Sequence, residues 1–316
     1  MRSVLIGAVG STRVTLETLH KAGMPPAAVV TVTEDIAYRN SDYIDLQPLC
    51  GKFCVPLKRF RDVNNAEAVT YIQRFHPDII WVIGFSQLVK RPLLDIPRLG
   101  ALGFHPSKLP QNRGRGVIAW TIIQGLSETG STLFWLEEGP DTGPILRQKV
   151  FPVAFGETVT SLMGKHINAL EQMIIESLPD LALSTTPKTP GKEQDHNQAT
   201  WCAKRTPDDG LIDWSRSAND VWTLIRASGR PYPGAFTTFR GQKVTIWSAD
   251  LEETTKRKYW GFPGQIQAFK EEFPLVQCGD GNHILIKEIS FRDDRSTSNN
   301  IETIRLHERF GGKNYV

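Results

Sequence analysis

The sequence predicts an α/β fold, in which a Rossmann-like domain with a mainly parallel sheet precedes a small C-terminal β-barrel domain of the OB-like type. Short apolar runs alternate with segments of helical period through the first half of the chain, which is typical of βαβ units. In the last third, short strand-like runs follow one another between Gly- and Asp-rich turns. We expect a catalytic domain over residues 1–183, a linker over 184–199 and the barrel domain over 200–316.

The elements of the first domain follow from apolar period and turn residues. A strand at Ser3–Val9 leads into a helix capped by Ser11 and Thr12 that ends at Gly23. The run at 78–84 is too apolar to be half-exposed, which predicts a central strand covered on both faces. The other expected elements are strands at 28–32, 55–57, 99–104, 131–136 and 144–153, and helices at 45–52, 65–76, 117–124 and 158–178.

The second domain is separated from the first by a change in composition. Residues 184–197 are rich in Thr, Pro, Lys, Gly, Gln and Asp, which cannot bury a core and therefore indicate a linker. Beyond it we expect one helix and five strands, at 218–227 and at 235–239, 243–249, 264–268, 275–278 and 283–289.

Composition limits the classes of function. The chain has 316 residues, 40% of them hydrophobic, which is enough for two cores. Its formal charge of +3 is spread along the chain, and the densest basic runs, Lys58–Arg61 and Lys256–Lys258, are short. This distribution suits a phosphate-bearing substrate without requiring nucleic acid.

The N-terminus and the cysteines suggest a cytoplasmic protein. The first residues resemble a strand rather than a signal peptide, and no apolar run approaches the length of a membrane span. The four cysteines form neither a metal-binding quartet nor a disulfide framework, so we expect a reducing compartment and no metal site.

Three segments bear on the chemistry, and two of them predict a catalytic pair. Gly7–Gly10 suggests a dinucleotide fingerprint, but Arg13 stands where the third glycine belongs, so a nicotinamide cofactor is not expected. His105, by contrast, emerges from a buried strand into a polar, basic loop, and the acidic turn Glu137–Pro144 lies between two strands of the same sheet edge. A carboxylate from that turn would orient the imidazole for proton transfer.

These residues resemble a known family. The run His105–Gly116, then Gly130–Thr132 and Gly139–Gly143, is similar to the signature of 10-formyltetrahydrofolate-dependent formyltransferases of the methionyl-tRNA and amino-sugar type. The likeness covers nearly the whole chain and is greatest to the formyltransferase half of the enzyme that modifies UDP-4-amino-4-deoxy-L-arabinose. In the C-terminal domain it rests on Thr206–Trp214, Pro231–Phe236, Gln242, Lys243 and Trp247.

The resemblance implies a site and a donor, 10-formyltetrahydrofolate. The family's catalytic His and Asp correspond to His105 and Asp141, and its catalytic Asn corresponds to Gly103, which is a departure from the pattern. That Asn helps to hold the formyl oxygen as negative charge develops, a contribution of about 3 kcal/mol for one donor. The cofactor pocket implied by the likeness consists of Phe85, Gln87, Leu88 and Val89, largely through their backbone, together with Gly103 and Asp141.

Three interpretations of Gly103 stay open. Another donor, either Asn112 or a water in the space left by the missing side chain, replaces the amide; the enzyme is slow; or the site binds ligands without turning them over. On the first interpretation Asn112 joins His105 and Asp141 as a catalytic residue.

The acceptor predicted from the sequence is the amine of a nucleotide-linked amino sugar, with Ser107, Lys108, Arg113 and Arg115 as substrate-binding residues and the two arginines contacting phosphate. The segment 33–43 is acidic and aromatic, whereas a tRNA enzyme should carry a basic insertion. Methionyl-tRNA as acceptor, hydrolysis of the formyl-folate, and a catalytically impaired folate- or nucleotide-binding homologue are the alternatives. No membrane partner is expected, nucleic acid only with the tRNA alternative, and the oligomeric state, a homodimer among the options, is left open.

Overall fold

The chain forms two compact units in the computed structural model, which describes residues 1–40, 42–252, 259–291 and 301–311. The first unit contains Met1–Val117, Ser127–Val153 and Met163–Lys204. The second contains Ile118–Leu126, Ala154–Leu162 and the described residues from Arg205 onward. The basic run Lys256–Lys258 lies outside the described residues.

Nine strands and six helices precede Arg205 in the described chain. The strands are β1 (Ser3–Ile6), β2 (Ala28–Val32), β3 (Leu57–Phe60), β4 (Ile79–Val82), β5 (Gly100–His105), β6 (Arg113–Gly114), β7 (Glu128–Trp135), β8 (Ile145–Pro152) and β9 (Trp201–Cys202). The helices are α1 (Gly10–Lys21), α2 (Gln47–Lys52), α3 (Ala66–Gln73), α4 (Arg91–Leu94), α5 (Val117–Ile123) and α6 (Val159–Leu183), and a 3₁₀ turn covers Glu34–Arg39.

The first unit is built on a seven-stranded sheet in the order β3-β2-β1-β4-β5-β7-β8. Strands β1 to β5 are parallel, and β7 and β8 continue the sheet in antiparallel fashion. Leu5 and Trp81 belong to the core on one face, and Ile6 and Ile80 to the core on the other. Alternate side chains of β1 and β4 are therefore buried on opposite faces, which confirms β4 as a central strand.

Local details differ from the sequence-based expectations at several element ends, and β3 and α1 are two examples. Strand β3 starts at Leu57 and continues to Phe60, because an edge strand tolerates the charged side chains of Lys58 and Arg59. Helix α1 is capped by Val9, two to three residues before the predicted caps: the Val9 N–H donates to Thr12 Oγ1 (3.1 Å), and that hydroxyl donates to the Ile83 carbonyl (2.6 Å).

Residues 184–199, expected to be a linker, are held against the first unit. Lys188 donates its N–H to the Leu99 carbonyl (2.7 Å), and the Trp135 indole N–H donates to the Pro190 carbonyl (2.8 Å). Lys192 and Ile145 form a β-bridge. A polar composition excludes a core, but it does not exclude docking by hydrogen bonds.

The second unit contains a five-stranded antiparallel sheet in the order β10-β11-β14-β13-β12. Its elements are α7 (Ala218–Ser228), β10 (Ala235–Phe239), β11 (Gln242–Glu252), β12 (Ile266–Lys270), β13 (Phe273–Gln277) and β14 (His283–Ser290). Helix α7 buries Val221, Trp222 and Ile225 in the core of this unit. The parallel sheet and this antiparallel domain confirm the predicted fold class.

Candidate active site

His105 is the last residue of β5 and lies at the edge of the sheet where parallel strands end. The chain after β4, Ile83 to Val89, leaves the sheet at the same edge, since β4 and β5 are parallel neighbours. Open α/β sheets place their ligand crevices at such strand ends. The imidazole is almost fully buried.

Two oxygen atoms fix the His105 ring. Nε2 lies 2.7 Å from the Asn112 carbonyl oxygen, and Nδ1 lies 3.6 Å from Asp141 Oδ1. A carbonyl oxygen only accepts, so Nε2 must carry the hydrogen and donate it to Asn112. Nδ1 is therefore the nitrogen that can accept a proton, and a carboxylate stands beside it to stabilise the resulting charge.

Asp141 reaches the imidazole from the turn between β7 and β8. Its backbone is left-handed (φ 58°), a conformation that Asp tolerates better than most residues. Oδ2 accepts the Gly114 N–H at 2.9 Å, which leaves Oδ1 towards His105. The carboxylate is thus oriented by a backbone donor from the loop that follows β5.

Asn112 contacts the site mainly through its backbone. Besides its carbonyl bond to His105, its N–H donates to Thr200 Oγ1 (2.8 Å), and its side-chain Oδ1 faces the same hydroxyl at 3.3 Å. The structure brings Asn112 to the imidazole as a ring anchor. Its role as a substitute oxyanion donor stays a prediction.

Ser107 and Lys108, both predicted to bind substrate, contact other parts of the protein. Ser107 is 1% exposed, and its hydroxyl donates to the Gln111 carbonyl at 2.7 Å within the loop. Lys108 Nζ lies 2.8 Å from Glu128 Oε1 on β7. The first side chain is buried in the turn, the second is exposed in a surface salt bridge, and their role towards substrate stays a prediction.

Arg113 is also a correction, because it is 2% exposed and cannot meet a substrate phosphate. One of its terminal nitrogens, Nη2, donates to Gln194 Oε1 (2.6 Å) and lies 3.0 Å from His196 Nδ1. Burial lowers the pKa of this guanidinium, and the nearby Asp141 carboxylate acts in the opposite direction. The arginine is a buried support beneath the acidic turn.

Arg115 remains at the margin of the site. It is exposed, and its Nη2 donates to the Ser86 carbonyl at 2.5 Å. The side chain thereby connects the loop after β5 to the loop after β4. Like Lys108 it is exposed, and its bond to Ser86 places it beside the loop after β4.

The loop after β4 offers backbone groups rather than side chains. The Gln87 amide accepts the Val63 N–H (3.0 Å) and donates to the Arg61 carbonyl (2.8 Å), while Val89 is buried in the core. Phe85 packs partly against that core, and Leu88 is 55% exposed. In the described part of the chain, the peptide N–H groups of residues 85–89 donate to no protein acceptor.

Gly103 does not leave the space that we expected from its missing side chain. A Cβ at this position would lie 2.6 Å from Leu136 Cδ2 and 3.1 Å from two ring carbons of Phe134. Phe134 is opposite Gly103 on the antiparallel partner strand β7. Two apolar side chains therefore crowd the position that a Cβ would take.

Sequence reasoning missed Gln194 and Thr200, which support the site from the segment 184–204. Gln194 bonds the backbone of the Asp141 turn and the side chain of Arg113, and Thr200 holds Asn112. Strand β9 next to Thr200 pairs with β6 in the loop after β5. Composition suggested a linker here, and no local pattern distinguishes Gln194 from its polar neighbours.

The described residues contain neither a metal-binding cluster nor a membrane-spanning helix. No cluster of three or more His, Cys, Asp or Glu side chains there is arranged to hold a metal ion. No helix in the same residues is long and apolar enough to cross a membrane.

Sequence comparison matches both parts of the chain to one family. Residues 2–178, more than half of the chain, match the model of formyl transferases, and residues 204–300 match the model of the formyl transferase C-terminal domain. The matches leave 179–203 uncovered, the segment that contains Gln194 and Thr200.

Solved structures show the same fold at low identity. HypX from Aquifex aeolicus in complex with tetrahydrofolic acid is 18% identical with a TM-score of 0.65, covering 92% of this chain but only 44% of that protein. WlaRD, a sugar 3N-formyl transferase with dTDP and 5-N-formyl-THF, is 15% identical with a TM-score of 0.65, covering 91% and 97%. An N-formyltransferase from Helicobacter canadensis, in complex with folinic acid and dTDP-3-aminofucose, is 17% identical with a TM-score of 0.64, covering 91% and 99%.

The two family matches agree with the site in order and position. His105 and Asp141 lie within the first match, and the antiparallel domain lies within the second. The resemblance inferred from His105–Gly116 and Gly139–Gly143 is confirmed: this chain belongs to the formyl transferase family.

Proposed function

We propose that this chain transfers a formyl group from 10-formyltetrahydrofolate to an amine, with Nδ1 of His105 as the base. The observation that carries the proposal is the arrangement of one ring between two acceptors. Nε2 is 2.7 Å from the Asn112 carbonyl and Nδ1 is 3.6 Å from Asp141 Oδ1. This leaves a single nitrogen for proton transfer and a carboxylate to balance its charge.

His105, Asp141 and Asn112 have separate roles in the proposed reaction. When bound, the formyl-folate supplies an electrophilic formyl carbon. His105 Nδ1 accepts the proton lost by the attacking amine and returns a proton to the departing folate nitrogen. Asp141 stabilises the imidazolium, and the Asn112 carbonyl holds the ring at Nε2.

The loop after β4 fits a pterin. A pterin carries donors and acceptors along one edge, which unpaired peptide groups can match. The N–H groups of residues 85–89 donate to no acceptor in the described chain, and the Gln87 and Asn64 side chains hold this loop to residues 61–64. The folate-bound relatives are further support, since HypX was solved with tetrahydrofolic acid.

As the acceptor we propose a nucleotide-linked amino sugar. Two structural neighbours are described as sugar formyltransferases, one with dTDP and one with dTDP-3-aminofucose bound. Arg113 is buried, and Arg115 is the exposed arginine among the predicted contacts for the acceptor. The four cysteines are free, which fits a reaction in the cytoplasm.

The test is a formyl-transfer assay with a panel of UDP-, GDP- and dTDP-linked amino sugars. We expect release of tetrahydrofolate with a matching gain of one CO in the mass of one acceptor. H105N and D141N should each abolish turnover and retain folate binding, whereas the exposed His76 tolerates H76N. Turnover with methionyl-tRNA alone would reject the sugar acceptor.

A second candidate function is folate binding without rapid turnover, and Gly103 is the observation that favours it. No side-chain donor stands at that position, and Leu136 and Phe134 fill its surroundings. Folate binding with a turnover no faster than that of H105N, for every acceptor and for water, would support it. Formate release without an acceptor would instead show hydrolysis.

A further inference from the structure

Gln194 holds the part of the chain that carries Asp141. Its Nε2 donates to the Asp141 carbonyl at 3.0 Å and to the Gly143 carbonyl at 2.7 Å. Its Oε1 accepts from Arg113 Nη2 at 2.6 Å. The amide is 6% exposed, so these three bonds form with little competition from water.

The backbone of Asp141 is left-handed. Asp tolerates this conformation, and the contacts around the turn keep the residue in it. The Gln194 amide fixes the turn on both sides of Thr142, and the Gly114 N–H fixes the carboxylate itself. With the turn and the carboxylate both held, Oδ1 lies at a defined distance from the imidazole.

We infer that Gln194 is a positioning residue for the reaction, acting through Asp141. The inference rests on the proposed function, and it concerns a residue in the segment 179–203 that neither family match covers. Its hydrogen bonds go to the Asp141 turn and to Arg113, so we expect its effect on the reaction to pass through the turn that it holds. A shift of Asp141 by about 1 Å can lower a rate by up to about 100-fold.

Two variants separate the donor contacts of the Gln194 side chain from its acceptor contact. Q194E keeps an oxygen for Arg113 but cannot donate to the Asp141 and Gly143 carbonyls. Q194M removes both contacts at similar volume. Q198M is the matched control, because Gln198 lies in the same segment and its exposed amide bonds Asp195.

We expect Q194E and Q194M to lower kcat by about 10- to 100-fold with little change in the KM for folate. Q198M should behave as wild type. A wild-type kcat in Q194M would overturn the inference.

A readout without turnover separates this inference from the proposed function. The imidazole ¹⁵N signals of His105, assigned by their absence in H105N, report the surroundings of Nδ1. They should move in the same direction in D141N and Q194M, and stay in place in Q198M. If they do so while no acceptor is formylated, the proposed function fails and the positioning role stands; if Q194M leaves them in place, the positioning role fails.

Discussion

Gly103 occupies the position where the resemblance to formyltransferases implies an Asn amide, and it offers no side-chain donor for the proposed reaction. The position that its Cβ would take lies 2.6 Å from Leu136 Cδ2. Glycine therefore fits beside Leu136, and a larger residue here requires the Leu136 side chain to move.

We predict that G103N alone destabilises the protein by about 1–3 kcal/mol, because the added side chain overpacks against Leu136 and Phe134. In G103N/L136A the amide gains room to hold the formyl oxygen. Its kcat should exceed that of L136A by at least about tenfold, since one oxyanion donor contributes about 10²–10³ in rate. Chemical denaturation and steady-state kinetics measure the two effects.

L136A is the matched control, since it creates the space without the amide. A G103N variant as stable as wild type would show that Leu136 moves aside freely. A double variant no faster than L136A would show that another donor already serves the formyl oxygen.

The cysteines give a second prediction at the residue scale. Burial raises the pKa of the Cys50 thiol to about 11 and of the Cys278 thiol to about 12, and Cys202 is buried as well. Cys54 is exposed. At pH 8 a maleimide should therefore modify one thiol rapidly, and C54S should remove that reaction; a thiol that reacts equally fast in C54S contradicts the burial of the others.

At the scale of elements, the loop after β4 is tied to the residues that precede α3. Asn64 Nδ2 donates to the Leu88 carbonyl (3.0 Å), and the Lys90 N–H donates to Asn64 Oδ1 (2.8 Å). The Gln87 amide adds the bonds to Val63 and Arg61. These contacts keep the loop in place, and with it the peptide groups that we assign to the folate.

We predict that N64A raises the KM for the folate several-fold and changes kcat by less than about threefold, because it loosens a binding loop and leaves His105 and Asp141 in place. Asn65 is the matched control. Its side chain caps α3 by accepting the Ala68 N–H (2.7 Å), so N65A should cost about 1 kcal/mol of stability without changing the KM. Equal KM values for N64A and wild type would contradict the role of the loop.

The elements also show what the sequence could predict. Ile79–Val82 was predictable as a central strand, because burial on both faces demands an unbroken apolar run. The proximity of His105 and Asp141 was predictable, because the family resemblance pairs them and both lie close to strand ends at one sheet edge. Gln194 was not, because its partners at 113, 141 and 143 are some 50 to 80 residues away along the chain and its polar neighbours form no pattern.

The burial of Arg113 was also not predictable from the sequence. A charged residue in a Gly-rich loop is exposed more often than not, and pattern alone gives no reason to bury it. Hydrogen bonds to Gln194 and His196 stabilise the buried guanidinium. Both residues belong to a segment that composition assigned to a linker. Where a site depends on such distant polar partners, only the folded chain reveals which charges face the ligand.

For the whole molecule, the distribution of charge bears on the acceptor. The net charge of +3 is small. The cations of the short basic run Lys58–Arg61 form ion pairs with carboxylates. Lys58 lies 3.8 Å from Glu67, Arg59 2.8 Å from Asp45, and Arg61 2.8 Å from Asp35. These cations are already partly neutralised by carboxylates, which makes them weak ligands for a polynucleotide backbone.

The salt dependence of turnover therefore separates a nucleotide sugar from tRNA. A protein that neutralises about six phosphates loses about 10³-fold in affinity between 50 and 200 mM salt, whereas two phosphates give a change of about tenfold. We predict the smaller change in kcat/KM over that range for the amino-sugar acceptor, measured at a fixed saturating folate concentration. K58Q/R61Q should leave kcat/KM unaltered, because the ion pairs of Lys58 and Arg61 lie on the surface and bind no acceptor. A loss near 10³-fold, reduced by K58Q/R61Q, would show that the chain tracks a nucleic-acid backbone after all.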